Sequence, residues 1–254
     1  MKNIFPNQAR QKLKNGERMI GCWAAMTNPL TTELLGQVGF DWLLIDSEHA
    51  PNDINSLIHQ LMALKDSDSA PFVRPTCNDK VEIKRLLDIG FYNFLIPFVC
   101  TKEEAENAVS YTRYPSAGVR GVSVAHRSNN WGFQSDYQQK INDNISIVVQ
   151  IEDRSALDNV EQILAVEGID AVFVGPSDLA ASLGHLGNAA HPEVFDSICH
   201  VIEAAKKAGK SCGILAPKQE DANRYLELGA NFVAVGSDIG IFKSAAVQLK
   251  EKFL

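Results

Sequence analysis

The sequence predicts an α/β fold: a closed (β/α)8 barrel, the TIM-barrel architecture, built as one domain over residues 1–254. Three observations predict it. Eight short apolar runs alternate with segments of helical periodicity, the pattern of a parallel sheet with crossover helices. The 254 residues match the ~250 typical of one such barrel. No G-x-G-x-x-G follows the first run, which counts against a doubly wound open sheet with a dinucleotide at its first turn.

The elements follow in order. Residues 8–18 are polar with apolar punctuation, an opening helix. Met19-Ile-Gly-Cys-Trp-Ala-Ala25 is strand 1, and 31–38 a short helix. Asp41-Trp-Leu-Leu-Ile-Asp46 is strand 2 and runs into Ser47-Glu-His49. Asn52 and Asp53 cap a helix whose Ile54, Leu57, Ile58, Leu61 and Leu64 keep helical spacing. Ala70-Pro-Phe-Val-Arg74 is strand 3, and 80–89 a helix stopped by Gly90. Strand 4 spans 93–99, and 102–112 is helical. The stretch 113–143 is long and irregular, and carries Arg120, His126, Arg127 and Trp131. A loop of that length inside a compact domain is functional or shields something. Ile147-Val-Val-Gln-Ile-Glu152 is strand 5, with a helix over 155–165. Ala171-Val-Phe-Val174 is strand 6 and ends in Gly175-Pro-Ser-Asp178. A helix over 192–208, strand 7 (211–216), a helix over 219–228, strand 8 (232–235) and a last helix from Ile241 complete the chain.

Composition excludes several functions. The formal net charge is −7 and no basic block is present, so neither nucleic acid nor an anionic membrane is a partner. No apolar run approaches the ~18 residues of a membrane span, and the start lacks the apolar core of a signal peptide. The five cysteines are scattered, and no two stand in C-x-x-C spacing. They read as reduced, mostly buried thiols of a cytoplasmic protein, with no zinc site.

Barrel enzymes place their chemistry at the C-terminal strand ends. Those ends carry Trp23, Asp46 with Glu48 and His49, Arg74, Pro97, Gln150 with Glu152, Ser177 with Asp178, Leu215 with Ala216, and Ser237 with Asp238. Side chains alternate along a strand, so Gln150 and Glu152 face the same way. Glu152 and Asp178 then stand at the same ends of neighbouring strands, as the oxygen ligands of a hard divalent cation do. No lysine lies in any of the eight runs, which counts against a Schiff-base mechanism. His126, His185 and His191 lie in loops without ligand spacing.

Ile45-Asp-Ser-Glu-His-Ala-Pro-Asn52, Val73-Arg-Pro75, Arg85-Leu-Leu-Asp-Ile-Gly90, Gly118-Val-Arg-Gly-Val122, Val149-Gln-Ile-Glu152, Phe173-Val-Gly-Pro-Ser-Asp-Leu179 and Val235-Gly-Ser-Asp238 together resemble the HpcH/HpaI class II pyruvate aldolases. The resemblance runs over essentially the whole chain. Ser47 departs from it, because many members place Gly there. What the resemblance implies is reversible retro-aldol cleavage of a 5-keto-4-deoxy or 2-keto-3-deoxy sugar diacid to pyruvate and tartronate semialdehyde. Glu152 and Asp178 would hold Mg2+, with Mn2+ or Co2+ as substitutes. His49 would be the base, oriented by Asp88 or by its local competitor Asp46. Arg74 would meet the developing enolate, Gln150 the pyruvate end, and Ser177, with the backbone N–H groups near the next helix start, its carboxylate; Asp178 would border the substrate as well as the metal. Leu215 and Trp23 would wall the pyruvate methyl carbon, with core packing as their alternative. Arg120 and Asp238 read as structural rim or interface residues. The resemblance also implies a homohexamer whose C-terminal helix packs on, or is swapped with, a neighbouring subunit. The apolar residues of that helix fit the barrel's own outer ring equally well. Neighbouring substrates are 2-keto-3-deoxyrhamnonate and 4-hydroxy-2-oxoheptanedioate. A CoA-ester lyase or a non-catalytic binding scaffold stands further off.

Overall fold

The computed structural model describes residues 5–254; residues 1–4, part of the start read for a leader, lie outside it. Eight parallel strands close in sequence order, from β1 (Met19–Ala24), β2 (Trp42–Asp46), β3 (Ala70–Arg74) and β4 (Asn93–Ile96) to β5 (Ser146–Ile151), β6 (Ala171–Val174), β7 (Ser211–Leu215) and β8 (Phe232–Ser237). The last strand pairs back onto the first, Met19 opposite Phe232. Closure leaves no strand edge exposed.

Helices α1 (Gln8–Lys14), α2 (Pro29–Val38), α3 (Ile54–Ala63), α4 (Lys80–Ile89) and α5 (Lys102–Thr112) fill the first half. Local chemistry sets their ends. Asp53 and Thr101 form capping boxes with Ser56 and Glu104, and Gly39 and Gly90 end α2 and α4 in the left-handed region. Beyond the irregular stretch and its single-turn α6 (Tyr137–Lys140) come α7 (Arg154–Asp158), α8 (Val160–Leu164), α9 (Pro176–Ser182), α10 (Pro192–Lys207), α11 (Gln219–Leu228) and α12 (Asp238–Glu251).

Two apolar cores result. The larger lies between the strands and the surrounding helices. The smaller fills the barrel lumen with Trp23, Trp42, Phe72, Phe173 and Phe232, and Ala9 and Leu13 of α1 join it. Trp42 is wholly buried and stacks on Phe232 with centroids 3.9 Å apart. Gly21 and Gly213 make room for these rings. A Cβ on Gly21 would come within 2.1 Å of the Trp42 ring, and one on Gly213 within 2.4 Å of Phe173 and 2.5 Å of the Phe232 carbonyl. The lumen is therefore a packed plug, and chemistry is confined to the rim above it.

The structure refines four expectations. The predicted helix over 155–165 is two short helices, because the backbone at Asn159 is not helical. Gly175-Pro-Ser-Asp178 is not a bare strand end but leads into α9, with Pro176 in its first turn. Only Cys22 and Cys212 are buried, and Cys77 is exposed. The C-terminal helix α12 does not join the outer ring: Ile241, Phe242, Val247 and Leu249 are all exposed. Among the described residues no helix is long and apolar enough to cross a membrane.

Gly213→Ala should destabilise the fold by about 2 kcal/mol, since overpacking a tight core costs about 1–3 kcal/mol and one of the two clashing neighbours is backbone. Thermal unfolding checks this. A melting temperature equal to that of the unsubstituted protein would mean that the lumen is looser than described.

Candidate active site

Arg74 is the centre of the rim. Register places Asp46 opposite it on β2. Its Nε and Nη2 donate to the two Asp46 carboxylate oxygens at 2.8 and 2.6 Å, a bidentate pair. Its Nη1 donates to Gln150 Oε1 at 3.4 Å and lies 2.9 Å from Glu48 Oε2. The Glu48 contact is close but not aligned as a hydrogen bond. The guanidinium sits 5.6 Å from the Trp23 ring centroid. Burial works against its charge, but Asp46, Glu48 and Glu152 outweigh that and hold it cationic.

Gln150 carries the line onward. Its Oε1 is taken by Arg74, so its Nε2 turns to Glu152 Oε2, 2.7 Å away. Gln150 and Glu152 do share a face, as strand alternation requires. The other Glu152 oxygen accepts the Phe98 N–H at 2.9 Å. Phe98 holds a left-handed backbone, φ 49°, which is costly for a residue with a side chain. Gly175 is a glycine for the same carboxylate: a Cβ there would fall 2.3 Å from Glu152 Oε2.

Three acids gather here. Burial raises the Glu152 carboxyl to about 7, with Glu48 and Asp178 pushing the same way against the Phe98 N–H and Arg74. Burial likewise raises Glu48, opposed by Arg74 and His49, with Asp46 and Asp178 adding to the rise. Arg74 thus faces three carboxylates, Asp46, Glu48 and Glu152, Asp178 adds a fourth beside the two glutamates, and a hard divalent cation suits the oxygen donors that remain. Asp178 lies in the first turn of α9, half-buried, and Ser177 beside it is exposed.

The remaining expected residues divide. His49 reaches solvent, 64% of its side chain exposed, and its Nε2 is 3.9 Å from Glu48 Oε2. Neither candidate orienting acid meets its ring among the described residues. Asp46 is committed to Arg74, and Asp88 to Arg120 at 2.8 Å. Trp23 is buried in the lumen core, and half-buried Leu215 packs against it. Asp238 is structural: it accepts the N–H groups of Ala25 and Met26. The sequence marks Glu48 only as a rim acid. Its partnership with Arg74 follows from the turn after β2, where the Glu48 N–H donates to Asp46, and no periodicity encodes that turn. His185, His191 and Glu193, also unlinked in sequence, come within 4.8 Å of one another, close enough to share a metal ion. One ring nitrogen of each histidine is already engaged, His185 Nε2 with Glu193 at 2.7 Å and His191 Nδ1 with the Glu193 N–H.

A buried Arg–Asp pair, an amide bridge and clustered carboxylates at the C-terminal rim of a barrel define an acid-lined site for a small anionic substrate with a cation. Residues 19–245 match the HpcH/HpaI aldolase/citrate lyase family model, and the chain belongs to that family. It is 61% identical to the 5-keto-4-deoxy-D-glucarate aldolase of Citrobacter koseri, over 99% of this chain and 98% of that one. It is 60% identical, with the same coverage, to the enzyme of that name from Escherichia coli O6:H1. A solved HpcH/HpaI aldolase/citrate lyase family protein from Burkholderia cenocepacia superposes with a TM-score of 0.95 at 37% identity, over 97% of this chain and 99% of that one.

The raised Glu152 has a stability consequence. The folded chain keeps its proton up to about pH 7, whereas the unfolded chain releases it near pH 4.5. The stabilisation is complete below pH 4.5 and is lost as pH rises through 7, a swing of roughly 3 kcal/mol. In the presence of chelator, wild type should therefore lose stability relative to Glu152→Gln as pH rises through this window. A melting-temperature gap between the two that does not change with pH would refute the buried acid.

Proposed function

We propose that this chain is a divalent-metal-dependent aldolase that cleaves 5-keto-4-deoxy-D-glucarate, or 2-keto-3-deoxy-D-glucarate, reversibly to pyruvate and tartronate semialdehyde. The observation that carries the reading is the Asp46–Arg74–Gln150–Glu152 line with Glu48 and Asp178 beside it. Near-full-length identity to the named aldolases supports the substrate.

Glu152 and Asp178 would hold Mg2+, or Mn2+ or Co2+ in its place. Bound there, the ion would serve as a Lewis acid toward the keto-acid end of the substrate. The chain's own residues do the rest. His49, exposed at the rim, takes the proton from the substrate hydroxyl as a general base. The adjacent carbon–carbon bond then breaks, the aldehyde leaves, and the electron pair remains on the pyruvate half as an enolate. Arg74, fixed before the reaction by Asp46, meets that developing charge without reorganising. Gln150 hydrogen-bonds the pyruvate end, and Ser177 with the backbone N–H groups at the start of α9 receives its carboxylate, beside Asp178. Leu215 and Trp23 border the methyl carbon. Protonation of the enolate completes pyruvate.

Asp88 stays the proposed orienting acid for His49. Since it lies elsewhere in its own chain, that role calls for contact between chains. Self-association, as a homohexamer, is part of the proposal, and the exposed apolar side chains of α12 support it. The enzyme would work in the cytoplasm on a small keto acid.

The test is pyruvate release from 5-keto-4-deoxy-D-glucarate. Release should vanish with chelator and return with Mg2+. His49→Ala should retain metal-dependent pyruvate binding and lose turnover by a factor of about 10²–10⁴, the usual contribution of a positioned base. Release indifferent to chelator would overturn the metal site, and an undiminished His49→Ala would overturn the base.

A further inference from the structure

The irregular stretch between α5 and β5 is built around one carboxylate. Asp88 sits at the end of α4 with 26% of its side chain exposed. Arg127 Nη1 donates to the Ile89 carbonyl at 2.6 Å and fastens the stretch to the last turn of α4. Arg120, whose side chain is wholly buried, donates through Nη2 to Asp88 Oδ1 at 2.8 Å. Its guanidinium lies 4.4 Å from the Tyr114 ring centroid and within 3.3–3.4 Å of the Tyr137 hydroxyl. Burying an arginine this completely is expensive unless its charge is used.

His126 approaches the same oxygen. Its Nδ1 accepts the Asn129 N–H at 3.3 Å and meets Ser128 Oγ at 2.6 Å. In the neutral ring the proton is then on Nε2. That Nε2 is buried, lacks a hydrogen-bond partner among the described residues, and lies 3.9 Å from Asp88 Oδ1. Arg120 Nε and the Tyr114 hydroxyl are buried and unpartnered in the same cluster. Unpaired buried donors are rare because each costs roughly 1–3 kcal/mol. Asp88 is the acid that both Arg120 and His126 approach among the described residues. The titratable groups facing His126 are Asp88 from α4 and Arg120 and Tyr137 from the loop. Burial lowers the His126 pKa, so the ring is neutral near pH 7.

We propose that Arg120 and His126 are positioning residues for the reaction: Arg120 holds Asp88 Oδ1 by a hydrogen bond, the His126 ring walls the same oxygen on the loop side at 3.9 Å, and the carboxylate so placed orients the base. This rests on the reading of Asp88 as the acid that orients His49. It gives the long stretch a purpose, which is to hold one carboxylate rigid and aimed.

The experiment is a double-mutant cycle on cleavage of 5-keto-4-deoxy-D-glucarate with Mg2+, using Arg120→Gln, His126→Gln, His126→Phe and Asp88→Asn. Arg120→Gln and His126→Phe should each lower kcat by roughly 10-fold or more with little change in KM, part of the 10²–10⁴ a positioned base supplies. His126→Gln keeps a donor and should recover most of the loss. Each should shift the acidic limb of the kcat/KM profile in the direction that Asp88→Asn shifts it. Combined with Asp88→Asn, neither should cost more, since residues acting through one group are not additive. Arg120→Lys, which keeps the charge, stands in if Arg120→Gln does not fold. Losses that multiply with Asp88→Asn, or wild-type kcat and pH profile in the loop variants, would overturn the positioning role of Arg120 and His126 while leaving the role of Asp88 standing. An Asp88→Asn variant with wild-type kcat would overturn both.

Discussion

The buried pair of Arg74 and Asp46 is what the rest of the rim depends on. Both are nearly excluded from solvent, 7% and 3% of their side chains being exposed. A pair so placed survives only when its remaining donors and acceptors are also satisfied. Parallel pairing of β2 with β3 sets Asp46 and Arg74 side by side, and the bidentate contact then fixes the plane of the guanidinium. From that plane the other groups take their orientation. Gln150 must offer its oxygen to Arg74 and its amide to Glu152, and Glu152 must turn its second oxygen to the Phe98 N–H. The site is pre-organised by hydrogen bonds that exist before any substrate arrives.

The charge balance follows from the same pair. Asp46 neutralises Arg74, which leaves Glu48, Glu152 and Asp178 with too little positive charge between them. Burial would rather keep Glu152 protonated. Oxygen donors gathered in this way suit a hard divalent cation. The packed aromatic lumen beneath excludes water from below, so the electrostatics of the rim act in a medium of low polarity, where they count for more. Opposite ends of the barrel thereby do different work: α1 and the rings of Trp42 and Phe232 hold the fold, and the strand ends hold the charges.

Much of this was legible in the sequence. Strand order and most element ends follow from apolar runs, caps and glycines, and α4, α5 and α11 begin and end where those signals stand. The shared face of Gln150 and Glu152 follows from strand alternation alone. What was not legible depends on contacts between distant segments or on short turns. Glu48 reaches Arg74 through a turn that carries no periodic signal. The seven-residue α9 is too short to display one, though Pro176 and Asp178 mark its start. Asp88 and Arg120 meet because an irregular stretch folds back on α4, and irregular backbone leaves no pattern to read. His185 and His191 stack with ring centroids 3.5 Å apart although no ligand-like spacing links them. The exposed apolar side chains of α12 satisfied either an inward or an outward reading until the helix was seen to leave the barrel.

The most direct test of the central claim is the turnover of Arg74→Lys. Lysine keeps the positive charge but cannot make the bidentate contact that aims it. If a pre-organised guanidinium stabilises the enolate, kcat for pyruvate release should fall by about 10²–10³, the cost of losing one aimed donor, while Mg2+ still binds. A lysine variant that turns over within a few-fold of wild type would show that charge alone suffices, and would contradict the claim that the Asp46–Arg74 pair organises the site.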